Sequence, residues 1–371
     1  MDVGLQQEID EKRKEIYTSK YSISIGELLH LYQDGELDVH PEFQRFLRWE
    51  DQQKTDLIES ILLGIPIPPI FVAQRADGVW DVIDGLQRMG TILQFVGIKL
   101  DEAGKLLDPL ILSKTKALPS LEGKRWENPD NPDDPKALTS AQRLLIKRSA
   151  LDITIVLKES DEQSKYELFM RLNRGGSLAS DQEVRNCLMV SINKEFFRWM
   201  DRLHDNQNFQ DSIALTDRKE KEQYGMELLL RFLILRKMPQ DGLAGLGLIG
   251  EFLTERMLGL ARDLQFDYRG EEKAFLKTFS LLNQELGSNA FRKWDGRKFT
   301  GGFSISAFEG VALGLGYHVE NPAITASGYS IEVRAKEIWG QSEFLQWTGV
   351  GRSAGSRIPR SIKVGREVFE P

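Results

Sequence analysis

The sequence predicts an α+β protein: a small mixed sheet in an N-terminal domain, then a mostly helical C-terminal region. Three observations predict it. Leu151-Asp152-Ile153-Thr154-Ile155 alternates apolar and polar residues in the manner of a half-buried strand. Trp80-Asp81-Val82-Ile83 does the same, and a helical pattern begins directly after it. From about 205 to 290 the pattern is mostly helical. The domain boundary is placed near 205, giving domains 1–205 and 206–371.

Taken in order, residues 5–17 read as a charged helix with Leu5, Ile9 and Ile16 as its sparse apolar side. A second helix begins at Ser24-Ile25-Gly26-Glu27 and ends at Asp34-Gly35. Leu37-Asp38-Val39 is a short extended piece. A third helix covers roughly 51–63, with Leu57, Ile58, Ile61 and Leu62 on one face and Gly64 as its stop. Ile67 to Ala73 is a strand whose prolines, 68 and 69, mark an edge or bend. After the strand 80–83, a helix opens at Gly85, turns Met89, Ile92, Leu93 and Val96 inward, and closes at Gly97. The proline-rich stretch 120–136 reads as an exposed loop. Ser160-Asp161-Glu162-Gln163 and Ser180-Asp181-Gln182-Glu183 are capping boxes. The first starts a helix to Arg174, stopped by Gly175-Gly176; the second starts a helix to about Leu203. The last eighty residues mix glycine with short apolar runs and are the least readable.

Composition excludes several classes. The net charge of −7 argues against a protein coated in positive charge, though not against a local basic surface for DNA. The single cysteine, Cys187, reads as a helix core residue and supports neither a disulfide framework nor a cysteine metal site. Glu8 to Glu15 is charged where a signal peptide would be apolar. No run approaches the ~18 apolar residues of a membrane span. A cytoplasmic protein with no membrane partner is the expectation. Gly245-Leu246-Gly247-Leu248-Ile249-Gly250 has the dinucleotide-fingerprint spacing but follows a helical run, so it reads as a helix–helix turn. Arg352, Arg357, Arg360, Lys363 and Arg366 form an acid-free stretch. It reads as a solvated tail or an outward basic strand face, or alternatively as a set of DNA phosphate contacts.

Three patches carry chemistry. In Val82-Ile83-Asp84-Gly85-Leu86-Gln87-Arg88 an aspartate ends a buried strand and a glycine begins a helix. A helix start exposes unpaired N–H groups and a partial positive charge, a natural anion site. Gly85 allows close backbone approach. Arg88 lies one turn on and could offer a bidentate fork, Gln87 adds an amide, and Asp84 could orient water or hold Mg²⁺. The plain alternative is that Asp84 only caps the helix and Arg88 is a surface charge. The second patch is Pro41-Glu42-Phe43-Gln44-Arg45, with Leu47-Arg48-Trp49 behind it. The third holds Arg171, Asn173 and Arg174 at a helix end, then Glu183, Arg185 and Asn186 in the next helix. Arginines suit a helix C-terminus in any case.

Phe43-Gln44-Arg45, Ile83-Asp84-Gly85-Leu86-Gln87-Arg88, Phe169-Met170-Arg171-Leu172-Asn173-Arg174-Gly175-Gly176 and Glu183-Val184-Arg185-Asn186 occur in that order. Together they resemble the N-terminal domain family of GmrSD-type modification-dependent restriction enzymes, over roughly residues 20–200. The resemblance implies a ParB/sulfiredoxin-like fold. It also implies nucleotide binding and hydrolysis with Mg²⁺, coupled to DNA recognition or nicking in anti-phage defence. Asp84, Gly85, Gln87 and Arg88 match the family's Asp-Gly-x-Gln-Arg element, and Arg45 its Phe-Gln-Arg arginine. The chain departs at Leu86, where the family often has glutamine; binding survives such a change more easily than hydrolysis. Four dispersed histidines, His30, His40, His204 and His318, lack the spacing of the His-Asn-His nuclease that restriction members often carry.

The expected site therefore has Asp84, Gln87, Arg88 and Arg45 as catalytic residues, with Asp84 as the Mg²⁺ ligand. Gly85, Gln44, Arg171, Asn173, Arg185 and Asn186 bind the nucleotide. Expected partners are a nucleoside triphosphate, DNA and a separately encoded nuclease or toxin; self-association is left open. Two alternatives stand beside this NTPase reading. One is a nucleotide-sensing regulator without turnover; the other is a metal-dependent DNA nickase using the same pocket.

Overall fold

The computed structural model describes residues 4–5, 8, 17–39, 49–101, 104–160, 168, 180–243, 245–348 and 352–371. The chain divides into two compact units, Met1–Leu178 and Ala179–Pro371. The boundary expected near 205 therefore falls inside the second unit.

The first unit is built on a five-stranded mixed sheet of order β1-β5-β3-β4-β2. Its strands are β1 (Thr18–Ser24), β2 (Leu37–Asp38), β3 (Ile70–Gln74), β4 (Trp80–Asp84) and β5 (Ala150–Val156). β5 pairs antiparallel with β1 and parallel with β3; β4 pairs antiparallel with β3 and parallel with β2. Among the described residues four α-helices accompany the sheet: α1 (Ile25–Gln33), α2 (Asp51–Leu63), α3 (Leu86–Val96) and α4 (Ser140–Arg148). Each sends its apolar stripe inward, Leu28 and Leu29 from α1, Ile58 and Ile61 from α2, and Met89, Ile92 and Leu93 from α3. They meet Ile70, Val72, Val82, Ile153 and Ile155 of the sheet. Gly64 and Gly97 end α2 and α3 in the left-handed conformation, as their positions predicted.

Three expectations change here. β1 was not anticipated: its Ser and Lys residues hide a strand whose partner lies about 130 residues away, so no local signal exists. α4 was not anticipated either, although Thr139 and Gln142 form a capping box at its start. The stretch 120–136 is not simply an exposed loop. Trp126 is buried and meets Phe95 edge-on at 5.8 Å, while Leu121 joins the same core.

The second unit is mostly helical. It includes α5 (Asp181–Ile192), α6 (Lys194–His204), α7 (Gln207–Ile213), α8 (Asp217–Lys221), α9 (Tyr224–Leu235), α10 (Gln240–Leu243), α11 (Ile249–Arg262) and α12 (Tyr268–Leu286). The single helix expected from 180 to about 203 is two. Asn193 leaves helical geometry (φ −152°, ψ 93°), and its side chain caps α6 by accepting from the Phe196 N–H at 3.0 Å. Phe209, Phe232, Phe275 and Phe279 pack ring against ring in the core. The glycines 245 and 247 lie between α10 and α11, the helix–helix turn expected for that segment.

The glycine-rich last eighty residues are also largely helical. A run from Ile305–Ala307 through a π-helical turn, Phe308–Ala312, continues into Leu313–His318. It crosses the C-terminal helix Ala354–Val368 at glycines. A Cβ on Gly365 would come within 2.1 Å of the Gly310 carbonyl oxygen, and one on Gly314 within 2.5 Å of Gly365. Apart from Arg352, the basic stretch lies on this helix, not in a tail or strand. Arg357 is ion-paired to the buried Glu309 at 2.8 and 2.9 Å. Arg366 donates to the carbonyls of Leu235, Arg236 and Met238. Arg360 and Arg352 lie over Trp347. Among the described residues no helix is long and apolar enough to cross a membrane.

Candidate functional site

The turn from β4 to α3 is shaped by a bulge and a glycine. Phe71 faces Asp84 while Val72 faces Val82, so Ile83 is the extra residue of the pair. Such a bulge re-aims the residues beside it. Gly85 follows at φ 95°, a left-handed conformation that disfavours any side chain. A Cβ there would also meet Ile70 Cδ1 at 2.4 Å and an Arg88 Nη at 3.2 Å. The close approach that Gly85 permits is thus made by the protein's own Ile70 and Arg88.

Arg88 Nη2 donates to Asp84 Oδ2 at 2.9 Å, and Nη1 donates to the carbonyls of Pro69, at 3.1 Å, and Pro68. The guanidinium fastens the start of β3 to the end of β4. The Asp84 side chain is 27% exposed. Its Oδ1 carries no hydrogen bond among the described residues, an oxygen that fits one corner of a Mg²⁺ shell completed by phosphates and water. Gln87 accepts from the Trp49 N–H at 3.3 Å and so anchors the residue that follows 40–48.

Among the described residues two concavities adjoin this turn. A cleft of about 610 Å³ is lined by Tyr32, Asp38, Arg75, Leu86 and Lys99, among others. A smaller pocket of about 180 Å³ is lined by Lys54, Gln87, Gly90, Thr91, Gln94, Lys99 and Leu107. They touch the motif through Leu86 and Gln87 rather than through Asp84 and Arg88. In the cleft, Arg75 bridges Asp38, at 2.6 Å, and the buried Asp81. Burial opposes its charge, and the two carboxylates more than offset that, raising its pKa. Burial, assisted by the nearby charge of Lys54, pushes the Lys99 ammonium down to about 8.

Lys54, Arg75 and Lys99 were not among the expected site residues. A lysine between Ile98 and Leu100 in an apolar stretch was the available signal for Lys99, but Lys54 and Arg75 read as ordinary surface charges.

Of the other expected residues, Gln44, Arg45, Arg171 and Asn173 lie outside the described residues. Arg185 and Asn186 lie on α5, in the second unit, and are fully buried. Arg185 donates to Gln182 Oε1 and to Glu227 Oε2, both at 2.7 Å. Glu227 also binds Arg231, which reaches Glu309, which holds Arg357. Burial opposes the charge of Glu227, and Arg231 and Arg185 overcome it, so its pKa is lowered. Asn186 accepts from Gln182 at 2.8 Å, while its own N–H₂ finds no partner among the described residues.

Residues 25–190 match the family described as GmrSD restriction endonuclease, N-terminal domain. The chain carries a GmrSD N-terminal domain. The match takes in the whole β4–α3 turn and ends two residues short of the end of α5. By its description the family is the N-terminal domain of a restriction endonuclease, and the match spans less than half of the chain. Neither the curated proteins nor the solved structures include a match to it.

Proposed function

We propose that the GmrSD domain binds a nucleoside triphosphate and hydrolyses it, and that this step gates the action of a restriction system on phage DNA. The observation that supports the reading best is the Asp84–Arg88 pair at the open start of α3, beside a cleft of nucleotide size. The first N–H groups of an eleven-residue helix favour anionic oxygens there. When bound, Mg²⁺ would be held by Asp84 and would neutralise charge on the phosphates. Arg88 would stabilise charge developing on the transferred phosphoryl group, exchanging its proline carbonyl partners for phosphate oxygens. Arg45 belongs to a segment pinned at Trp49, four residues on, a span that cannot exceed about 14 Å; we assign it the second positive charge. Gln44, Arg171 and Asn173 are assigned to nucleotide contacts on the same family grounds. Arg185 and Asn186 are instead assigned a supporting role in the helical network that buries them.

The test is nucleotide hydrolysis with Mg²⁺, in the presence and absence of plasmid DNA. Arg88→Lys keeps the charge but loses the planar fork, and should lower turnover at least tenfold with the circular-dichroism spectrum unchanged. Undiminished turnover in the folded variant would sink the role of Arg88.

One observation favours a second reading, nucleotide sensing without turnover. Leu86 presents an aliphatic side chain to the cleft, and Arg88 is already engaged by three acceptors. Wild-type protein that binds nucleotide but releases no phosphate, with or without DNA, selects it. In either case a separately encoded nuclease or toxin is the proposed effector.

A further inference from the structure

We propose that the pocket between α2 and α3, walled by Lys54, Gln87, Thr91, Gln94 and Lys99, is a phosphate subsite. The inference deepens the nucleotide reading and rests on it for the source of the phosphate.

Gln87, Gly90, Thr91 and Gln94 recur at helical spacing, so one face of α3 forms a wall. That wall begins one turn after Asp84-Gly85. Gly90 adds no side chain to it. Thr91 and Gln94 supply polar groups, a hydroxyl hydrogen-bonded to the Gln87 carbonyl and an amide donating to the Asp108 carbonyl. Facing them are two lysines. Lys54 is held by Asp51 at 3.2 Å. Lys99 is only 5% exposed, and among the described residues its ammonium has neither an ion pair nor a hydrogen bond.

A buried ammonium without a counter-charge is costly, and proteins nearly always pair one. Among the described residues no carboxylate lines this pocket. An anion from outside the chain would supply that partner. Its size is bounded: about 180 Å³ is small for a nucleoside but has room for a phosphoryl group. Lys99 also lines the neighbouring 610 Å³ cleft. A single ligand can thus place its nucleoside in the cleft and a phosphate against Lys99. Lysine ammoniums are suited to that task as compact point charges.

Calorimetric titration of the full chain with pyrophosphate, a nucleoside triphosphate and a short DNA duplex tests this. The same titrations are run on Lys99→Met and Lys54→Met. Pyrophosphate and triphosphate affinity should fall at least tenfold in Lys99→Met and less in Lys54→Met. A fall confined to DNA would also support the subsite, with the DNA backbone as its source. If wild type binds pyrophosphate through Lys99 but no nucleotide, the subsite stands and the nucleotide reading fails. Lys99→Met protein that binds all three ligands as wild type does overturns the proposal. So does wild-type protein that binds none of them.

Discussion

Lys99 has a consequence for stability that can be read without any ligand. Its folded pKa of about 8 lies below the unfolded value of 10.5. Between these two the unfolded chain binds more protons than the folded one, so stability rises with pH across that window. Below pH 8 the cost of charging the buried ammonium is present in full. Lys99→Met should therefore stabilise the ligand-free protein at pH 7 by on the order of 1–3 kcal/mol. The gain should shrink toward pH 10.5, measured by denaturant unfolding at both pH values. Gly85 carries the opposite prediction. Gly85→Ala forces a side chain into φ 95° and against Ile70. It should cost roughly 2–4 kcal/mol from strain and overpacking together, seen as a lower denaturation midpoint in the first unit. At this scale the sequence disclosed that a glycine was required after Asp84, but not what required it. The Ile70 contact depends on the pairing of β3 with β4, which no local pattern contains.

At the scale of elements, the internal ion pairs of the second unit govern how its helices assemble. Arg185, Glu227, Arg231, Glu309 and Arg357 form a chain of alternating charge drawn from α5, α9, the π-helical turn and the C-terminal helix. Glu309 is fully buried and serves two arginines. Glu309→Ala should cost about 3–5 kcal/mol, because it leaves Arg357 uncompensated in the interior, while Arg231 keeps Glu227. Tyr224, pushed up to about 12 chiefly by burial, stays neutral beside this chain throughout the physiological range. Helices with an uninterrupted period, such as α2 and α3, were legible to within a residue at each end. Elements built by distant partners were not. β1 is recognised as a strand only through β5, and the C-terminal helix hides its nature behind Pro359 and three glycine contacts. The arginines of that helix look like a nucleic-acid surface in one dimension; in three, Arg357 and Arg366 are occupied with the protein itself.

Across the whole molecule, each unit has its own apolar core, the first around the mixed sheet and the second around the phenylalanine cluster. Glu309→Ala should therefore raise hydrogen exchange across residues of the second unit while leaving the strands of the first protected, as read peptide by peptide by mass spectrometry. The candidate site was legible where the family motif is contiguous, at Asp84 to Arg88. It was not legible at Lys54 and Lys99, which α2 and the end of α3 bring to the same pocket only after folding.

The glycine crossing of residues 310, 314 and 365 also sets an order of events during synthesis. The sheet of the first unit can close as soon as β5 has emerged to join β1 and β3, with residue 156. The second unit lacks the helix that seats on Gly310 and Gly314 until residue 365 has been made. While the ribosome adds the intervening two hundred or so residues, the domain proposed to bind nucleotide can already be folded, and from residue 314 to residue 365 the helical unit presents an unfilled glycine groove to its surroundings.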